Sequence, residues 1–595
     1  MIKGLAEAAQ SLGIPVDAPM TREGVAIKHT TSPEQIPMMY RAQVSGRCSL
    51  MFAGSNSDLE RWKDEWIYPQ SEQPRYQRKE PSLGLDGTIY RIKVNFPFRL
   101  LSNCGQDSII RPIMGKDGIP YFPGSSIKGL FRRACNNEIQ AKKYCGDDAN
   151  LAPSILGFRF HGGYPVGDWS GMNKVKVRSG NEEVTVTRYR MLDVIHPQQS
   201  RQVGSERKGP TALASVSLFR PTLIFEFSSA DPDTNWQEVE TIFWRAIALG
   251  VGGKTSTGYG FGGHNDQHTA NVPASKTNVM LVGQGVSPTL RSDEPEFRPN
   301  LFKASLRGHF QRLLAGVISD RNKLNKEVDR LFGSSSSPGT ILLFWEQHQD
   351  VTYGQFGKTQ TFKANGTLHI NSSRNEDVQL IEQVLKFAFV MGGFGKSWRR
   401  ASHEKFHNNY KKFEIGCHWE LSPMDRSWVQ LKSVSDLRCF LQEMHQYYST
   451  KFGGGKATSL DWREAWHPDR LSVYAAITTE SKAITLFHDD IYKKTPAIGG
   501  RVIEQKFNPK TNKMENKEKL VVSHVWHRML PIDNESFLEI VTVFHAKGDD
   551  WNHQSQGNQL NKFIQSLKAK GLSFTWGKNN PSVQGSQPSA PKPRR

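Results

Sequence analysis

Ser126-Ile127-Lys128-Gly129-Leu130-Phe131-Arg132-Arg133 returns later in the chain as Ser305-Leu306-Arg307-Gly308-His309-Phe310-Gln311-Arg312. Both stretches read Ser, aliphatic, cation, Gly, any, Phe, any, Arg. Each follows an Arg-Pro pair, Arg111-Pro112 and Arg298-Pro299. Far downstream of each, an apolar helical stretch runs into glycines and a lysine: Gly252-Gly253-Lys254-Thr255 and Gly392-Gly393-Phe394-Gly395-Lys396-Ser397. Recurrence of two signals in one order marks a duplicated domain. The duplicated cations beside backbone-accessible glycines point to a phosphate-bearing partner contacted twice.

Working outward, each copy yields the same order of elements. In the first, Thr88–Val94 alternates polar and apolar residues, the period of a half-buried strand. A helix is expected over 125–142, with Ser125 or Ser126 as N-cap after Pro123-Gly124. An irregular stretch, 143–212, precedes strand material at 217–227. Helical spacing of Val239, Ile242, Phe243, Ala246 and Leu249 follows, and Gly258–Gly262 is expected to close the set as a strand. The second copy offers a strand at 278–282, a helix at 302–317, strands at 340–345 and 366–370, a helix at 377–391 and a strand at 413–419. Both orders allow strand-helix-strand-strand-helix-strand, the ferredoxin-like (RRM-like) arrangement. The expected class is therefore α+β, with two tandem ferredoxin-like domains over 86–265 and 276–420. Residues 1–85 form an N-terminal extension. Residues 421–577 form a C-terminal α+β extension with strands at 520–526 and 537–544, a helix at 559–570 and a Lys-rich loop at about 500–519. Residues 578–595 have the composition of a disordered basic tail.

The chain has 595 residues, with 77 Lys+Arg against 58 Asp+Glu, a formal charge of +19. A surplus of this size fits a polyanionic partner. No Cys-x-x-Cys pair occurs among the six cysteines, so a structural zinc site is not expected. Scattered single cysteines read as reduced thiols. The N-terminal residues lack the apolar core of a signal peptide, and no uninterrupted apolar run is long enough to span a bilayer. The expected location is cytoplasmic, without a membrane partner.

The glycine-lysine loops are not nucleotide-binding P-loops. That motif needs a glycine five residues before its Gly-Lys pair, where Ala248 and Val390 stand, and both loops follow a helix instead of opening one. The retained reading is a turn whose amides, lysine and hydroxyl hold a nucleic-acid phosphate. Candidate contacts are Gly252, Gly253, Lys254 and Thr255 in the first copy, and Gly395, Lys396, Ser397, Trp398, Arg399 and Arg400 in the second. The two helix starts add Arg111, Ser125, Ser126, Lys128, Arg132 and Arg133, and Arg298, Lys303, Arg307 and Arg312. Lys128 and Arg132 are four apart and share a helix face, and free amides at a helix start add positive potential. Phe131 and Phe310 read as core residues. Asp107, four residues before Arg111, and Asp293 with Glu294, before Arg298, are candidate catalytic acids that could orient a metal ion or a 2′-hydroxyl. The histidines, among them His369, His403, His407, His524 and His527, show no metal-binding spacing and read as surface or RNA-proximal residues.

Tyr121-Phe122-Pro123-Gly124-Ser125-Ser126-Ile127-Lys128-Gly129 closely resembles the signature of the RAMP superfamily, the ferredoxin-like RNA-binding proteins of CRISPR systems. Gly252-Gly253-Lys254-Thr255-Ser256-Thr257-Gly258-Tyr259-Gly260 resembles that family's C-terminal glycine-rich loop. The resemblance covers about 86–265; over 276–420 it is weaker, lacking the Pro-Gly-Ser-Ser approach. It is nearest to backbone subunits of type III CRISPR effector complexes, and two such domains in one chain suggest a fused effector of the III-D kind. It implies a guide-RNA-binding subunit that pairs with complementary target RNA and with other effector subunits. It further implies a β-hairpin thumb, for which 143–212 with Arg188, Arg190, Met191, Arg201 and Arg207 is the candidate. In cleaving members, an Asp between the first strand and first helix cuts target RNA with a divalent metal such as Mg²⁺, which places that role on Asp107 and, more weakly, on Asp293 or Glu294. Two alternatives remain: an inert structural subunit of the same complex, and an endoribonuclease that matures the guide.

Overall fold

The computed structural model describes residues 79–102, 112–113, 120–179, 182–195, 213–263, 276–290 and 294–579, apart from short gaps at 335–336, 338, 358, 373, 396, 408–414, 423–424, 426–427, 454–457, 509–512, 521 and 546–547. The N-terminal extension up to residue 78, the basic tail from 580, and Asp107, Arg111, Asp293, Lys396, Arg201 and Arg207 lie outside the described residues. The chain is a mixed α+β protein built on three main antiparallel sheets.

In the first sheet the order is Gly84–Asp86, Ile89–Asn95, Thr222–Ser228, Arg159–Val166. Ile92 and Val94 point inward, as their alternation requires. Thr222–Ser228 is central and nearly continuously apolar; its one carboxylate, Glu226, accepts from Arg91 Nε at 2.9 Å. The helices Gly124–Ala134 and Trp236–Ala248 bury Ile127, Leu130, Phe131, Val239, Ile242 and Phe243 against the sheet. Phe131 is fully buried among Tyr144, Phe158 and Phe160, where a phenylalanine contributes about 1.5–3 kcal/mol.

The expected helix over 125–142 is two helices, Gly124–Ala134 and Glu138–Cys145. Asn137 ends the first by starting the second, its side chain accepting from the Gln140 amide at 2.9 Å. Neither Ser125 nor Ser126 is the N-cap; that place belongs to Pro123, with no side-chain cap. Gly258–Gly262 is not a strand. Lys254, Gly258 and Gly260 all have positive φ, which curls the segment and leaves only the bridge Asn95–Gly263 where a fourth strand was expected. The stretch 143–212 is more regular than its composition suggested. It contains the edge strand Arg159–Val166 and a separate two-stranded ribbon, Met172–Ser179 with Glu182–Tyr189.

The second sheet has the order Ile341–Gln347, Thr359–Ser372, Thr277–Val286, Cys417–Leu421, with Thr352–Phe356 also paired to Thr359–Ser372. Helices Asn300–Ala315, Arg321–Phe332 and Asn375–Phe387 accompany it, the last running into a π-turn, Ala388–Gly392. Phe310 is fully buried.

The C-terminal part holds a third sheet that repeats the second's order. Val525–Pro531, Phe537–Phe544, Leu471–Thr478 and Ser573–Gly577 lie side by side, with Arg399–Arg400 added parallel at the edge. Its two central strands are buried on both faces. One face packs on its own short helices and Leu560–Ala569, the other on Val434–Phe452 and the second sheet's core. Burial on both sides erases the alternation that marks a half-exposed strand. The expected strand over 520–526 starts only at Val525, and Leu520 instead ends a ribbon. That ribbon, Arg501–Asn508 with Lys513–Leu520, replaces the loop expected over 500–519.

Buried polar groups rivet this assembly. Arg528, 1% exposed, donates to the carbonyls of Phe389, Arg400 and Trp419 and so ties the third sheet to the second. Glu539, fully buried, accepts from Ser481 Oγ at 2.6 Å, the amides of Lys482 and Ala483, and His527 Nε2. These contacts hold its pKa below the usual carboxylate range against the opposing effect of burial.

Several histidines expected at the surface are interior: His403, His524 and His527 are at most 2% exposed. Burial pushes His403 down to about 3, His545 to about 4 and His309 well below its ordinary value. A depressed histidine means that the unfolded chain takes up the proton first, so stability is lost as pH falls below about 6.5, on the order of 1.4 kcal/mol per pH unit per histidine. In a scan from pH 7.5 to 5.5 at constant ionic strength the thermal midpoint is therefore expected to hold at first and then to drop as the pH passes below about 6.5. A flat profile across that range would contradict neutral, buried histidines.

Candidate RNA interface

The helix Gly124–Ala134 has one face built for the core and one for solvent. Ile127, Leu130, Phe131 and Ala134 are buried; Ser125, Ser126, Lys128 and Arg133 are exposed. Gly124 explains the Pro-Gly-Ser-Ser approach. A Cβ there would lie 1.9 Å from the Phe160 carbonyl oxygen, so only glycine lets the helix start against the edge strand. Arg132 is not part of the exposed set. Its guanidinium donates to Gly146 O at 2.7 Å and pairs with Glu138 and Asp148, fastening the turn after the next helix.

In the first glycine-lysine loop, the Gly253 amide donates to Leu101 O at 2.6 Å. Lys254 takes a left-handed conformation, φ 58°, with an exposed side chain, and Thr255–Thr257 closes as a short 3₁₀ turn. Gly252 is exposed, and Thr255 is partly covered. The loop does not stand alone. Ser256 Oγ accepts from Lys303 Nζ of the second unit at 2.7 Å. Lys303 is 8% exposed, and burial, reinforced by Arg307, pulls its pKa down to about 8. Lys303 is thus a residue of the junction between units instead of an exposed RNA contact.

The second copy shows its helix start and glycine loop meeting: the Gly395 amide donates to Ser305 Oγ at 3.1 Å. Four of its expected RNA cations, Arg298, Arg307, Arg312 and Arg400, have partners inside the protein. Arg307 donates to Asp329 Oδ1 and Gly333 O, both at 2.6 Å. Arg312 pairs with Glu464 and lies over Trp526. Arg298 is near Glu296, at 3.7 Å. Arg400 is 5% exposed over the Trp526 ring at 4.6 Å, and burial lowers its pKa to about 10. Arg399 covers Trp398, whose ring packs on Phe487, and Ser397 Oγ accepts from the Arg399 amide. The loop also wraps a buried histidine. A Cβ on Gly392 would lie 1.9 Å from the His309 ring, and His309 Nε2 is 3.0 Å from Gly393 O.

Of the candidate acids, Glu294 is 6% exposed, 3.4 Å from Arg190 Nε and 3.2 Å from Asn173 Nδ2. A carboxylate held this way fits a structural pair better than a metal ligand. Among the described residues no group of three or more His, Cys, Asp or Glu side chains could hold a metal ion, and no helix is long and apolar enough to cross a membrane. The sequence reading missed Arg99 and Glu296, a buried pair between the first and second units, and Arg220. None sits in a motif, and their meaning comes from residues far away in sequence.

Residues 111–261, which hold the Ser125–Arg133 face and the first glycine loop, match the model of the RAMP superfamily. Among curated proteins none matches the chain. Among solved structures, the chain is similar to Cmr1 from Pyrococcus furiosus in its apo form, with 13% identity and a TM-score of 0.34, over 50% of this chain and 98% of that one. It is similar to a chain of the type III-B Cmr-β complex bound to cognate target RNA, with 17% identity and a TM-score of 0.22, over 30% of this chain and 59% of that one. It is also similar to Cmr6 from Pyrococcus furiosus, with 16% identity and a TM-score of 0.17, over 30% and 98%.

Proposed function

We propose that the chain is a guide-RNA-binding backbone subunit of a type III CRISPR effector complex, holding guide and complementary target RNA beside other effector subunits. The observation that carries this reading is the coincidence of the RAMP match over 111–261 with an exposed Ser125, Ser126, Lys128, Arg133 and Lys254, in a chain of charge +19. In this reading the first two sheets are tandem ferredoxin-like RAMP units. The third sheet, with the second's strand order, is a further unit of the same kind.

Target cleavage is assigned to Asp107 with a divalent cation, Mg²⁺, and to the first unit alone. The pairing of Glu294 with Arg190 favours a second unit that is structural. In an assembled complex with guide and labelled target, Asp107→Ala is expected to abolish the cuts made by this subunit, and EDTA to do the same to wild type. Full cleavage by Asp107→Ala with guide binding intact would instead make the subunit structural. Cutting of repeat RNA by the isolated chain would support the guide-maturing alternative.

A further inference from the structure

We infer that the cleft at the foot of the ribbon Met172–Tyr189 is a binding subsite for one phosphate of an RNA strand, with Arg220 and Arg190 as its ligands; this rests on the RNA-binding reading above. The cleft has a volume of about 340 Å³ and is lined by Asp168, Met172, Asn173, Arg190, Phe219 and Arg220. It lies where the first and second units meet, because Arg190 and Asn173 of the first reach Glu294 of the second.

Three guanidinium groups gather around one ring. The Cζ atoms of Arg190, Arg99 and Arg220 are 5.3, 5.4 and 5.9 Å from the Phe219 centroid. They are not equivalent. Arg99 is sealed by Glu296 and Ser217. Arg190 shares Glu294 at the longer distance of 3.4 Å and remains partly exposed. Arg220 is exposed and, among the described residues, has the ring contact but no acid partner. Among the described residues the one lining acid, Asp168, is turned to its own loop, accepting from the Ser170 amide and hydroxyl and the Met172 amide. A cleft with an exposed guanidinium that has no acid partner among the described residues, beside a second one, presents the forked donors that match a phosphate. The Phe219 ring holds the arginine stems in place, so less freedom is lost on binding.

The position also suits a strand of RNA. The strand Met172–Ser179, which adjoins the cleft, has Lys174, Lys176 and Arg178 at alternate positions of its sequence.

The test uses the full chain and a fluorescent single-stranded RNA of about thirty nucleotides, titrated by anisotropy at several KCl concentrations. Arg220→Ala is expected to weaken binding about three- to tenfold and to reduce the slope of log affinity against log salt by about 0.7, the value of one single-strand phosphate contact. Arg220→Glu should weaken it more than tenfold, and Arg220→Lys should recover most of the slope. Lys568→Ala, an exposed cation elsewhere, should change nothing. Millimolar inorganic phosphate should compete with wild type more than with Arg220→Ala. Unchanged affinity and slope in Arg220→Ala and Arg220→Glu, beside a wild type that binds, would overturn the subsite and leave the RNA reading standing. A loss in Lys568→Ala equal to that in Arg220→Ala would also overturn it, reducing the effect to net charge. A wild type with no salt-dependent RNA affinity would remove both.

Discussion

Replacing Arg99 by methionine is expected to destabilise the protein by about 3–5 kcal/mol, the range for removing one partner of a buried ion pair. Arg99 and Glu296 are 3% and 8% exposed. The pair is two-pronged: Nε donates to Oε1 at 2.6 Å and Nη2 to Oε2 at 2.8 Å, while Nη1 donates to Ser217 Oγ at 2.9 Å. Without the guanidinium, Glu296 keeps a buried charge with Arg298, 3.7 Å away, as its remaining ion pair among the described residues. The loss is therefore dominated by an uncompensated carboxylate and not by the Coulomb energy of the pair. Arg99→Met with Glu296→Met should recover much of the stability, because an apolar pair of similar volume restores packing without stranding a charge. Because the pair joins the first unit to the second, the single variant should also split one thermal transition into two, the earlier belonging to the first unit. Differential scanning calorimetry of the single and double variants reads both effects. A single-variant loss below about 1 kcal/mol would mean that water reaches the pair.

The second large effect concerns RNA. Lys128→Ala, Arg133→Ala and Lys254→Ala combined are expected to lower the salt slope by about 2, three single-strand phosphate contacts at about 0.7 each. Affinity at low salt should fall by one to two orders of magnitude, by the usual arithmetic of phosphate contacts. Arg307→Ala and Arg312→Ala should behave in the opposite way. Each removes a partner from Asp329 or Glu464, so the thermal midpoint should fall while the slope per folded molecule stays the same. Glu464 makes the difference larger for Arg312. It is 6% exposed, and Arg312 and Arg463 together hold its pKa near 2 against the pull of burial. If the Arg307 and Arg312 variants lost slope and kept their melting temperature, the division between an RNA-facing first unit and an internally braced second would be wrong.

Local pattern was enough to read much of the first two sheets, though not the edge strand Arg159–Val166 or the curled segment at 258–262. The Ser-aliphatic-cation-Gly octapeptides, the alternation of Thr88–Val94 and the helical spacing from Val239 to Ala246 are short-range signals, and they lie on elements where expected. The burial of Phe131 and Phe310 follows from the same periodicity. The third sheet was read only in part: the strand at 537–544 and the helix at 559–570 lie where expected, but Leu471–Thr478 was missed, for a physical reason. Phe537–Phe544 and Leu471–Thr478 are covered on both faces, and the first helical layer is broken into Ile484–His488, Asp490–Lys493 and Pro496–Gly499. Alternation is lost in these strands, so Phe537–Phe544 was read from its continuous apolar run alone, and no long helical period survives in the broken layer.

The candidate interface divides along the same line. A cation's place on a helix is a local property, so Lys128, Arg132, Arg133, Arg307 and Arg312 could all be found from spacing. Whether that cation meets solvent or a carboxylate is not local. Arg132 and Arg133 are adjacent, yet one is tied to Glu138, Asp148 and Gly146 and the other is exposed. Arg312 finds its acid 152 residues further on, and Lys303 finds its hydroxyl in the other copy's glycine loop. Residue order set the duplication, the charge and the two RAMP-like motifs, because each is written in neighbouring residues. Long-range packing chose which of the duplicated cations remain available to a polyanion, because a charge is neutralised by what the fold brings beside it.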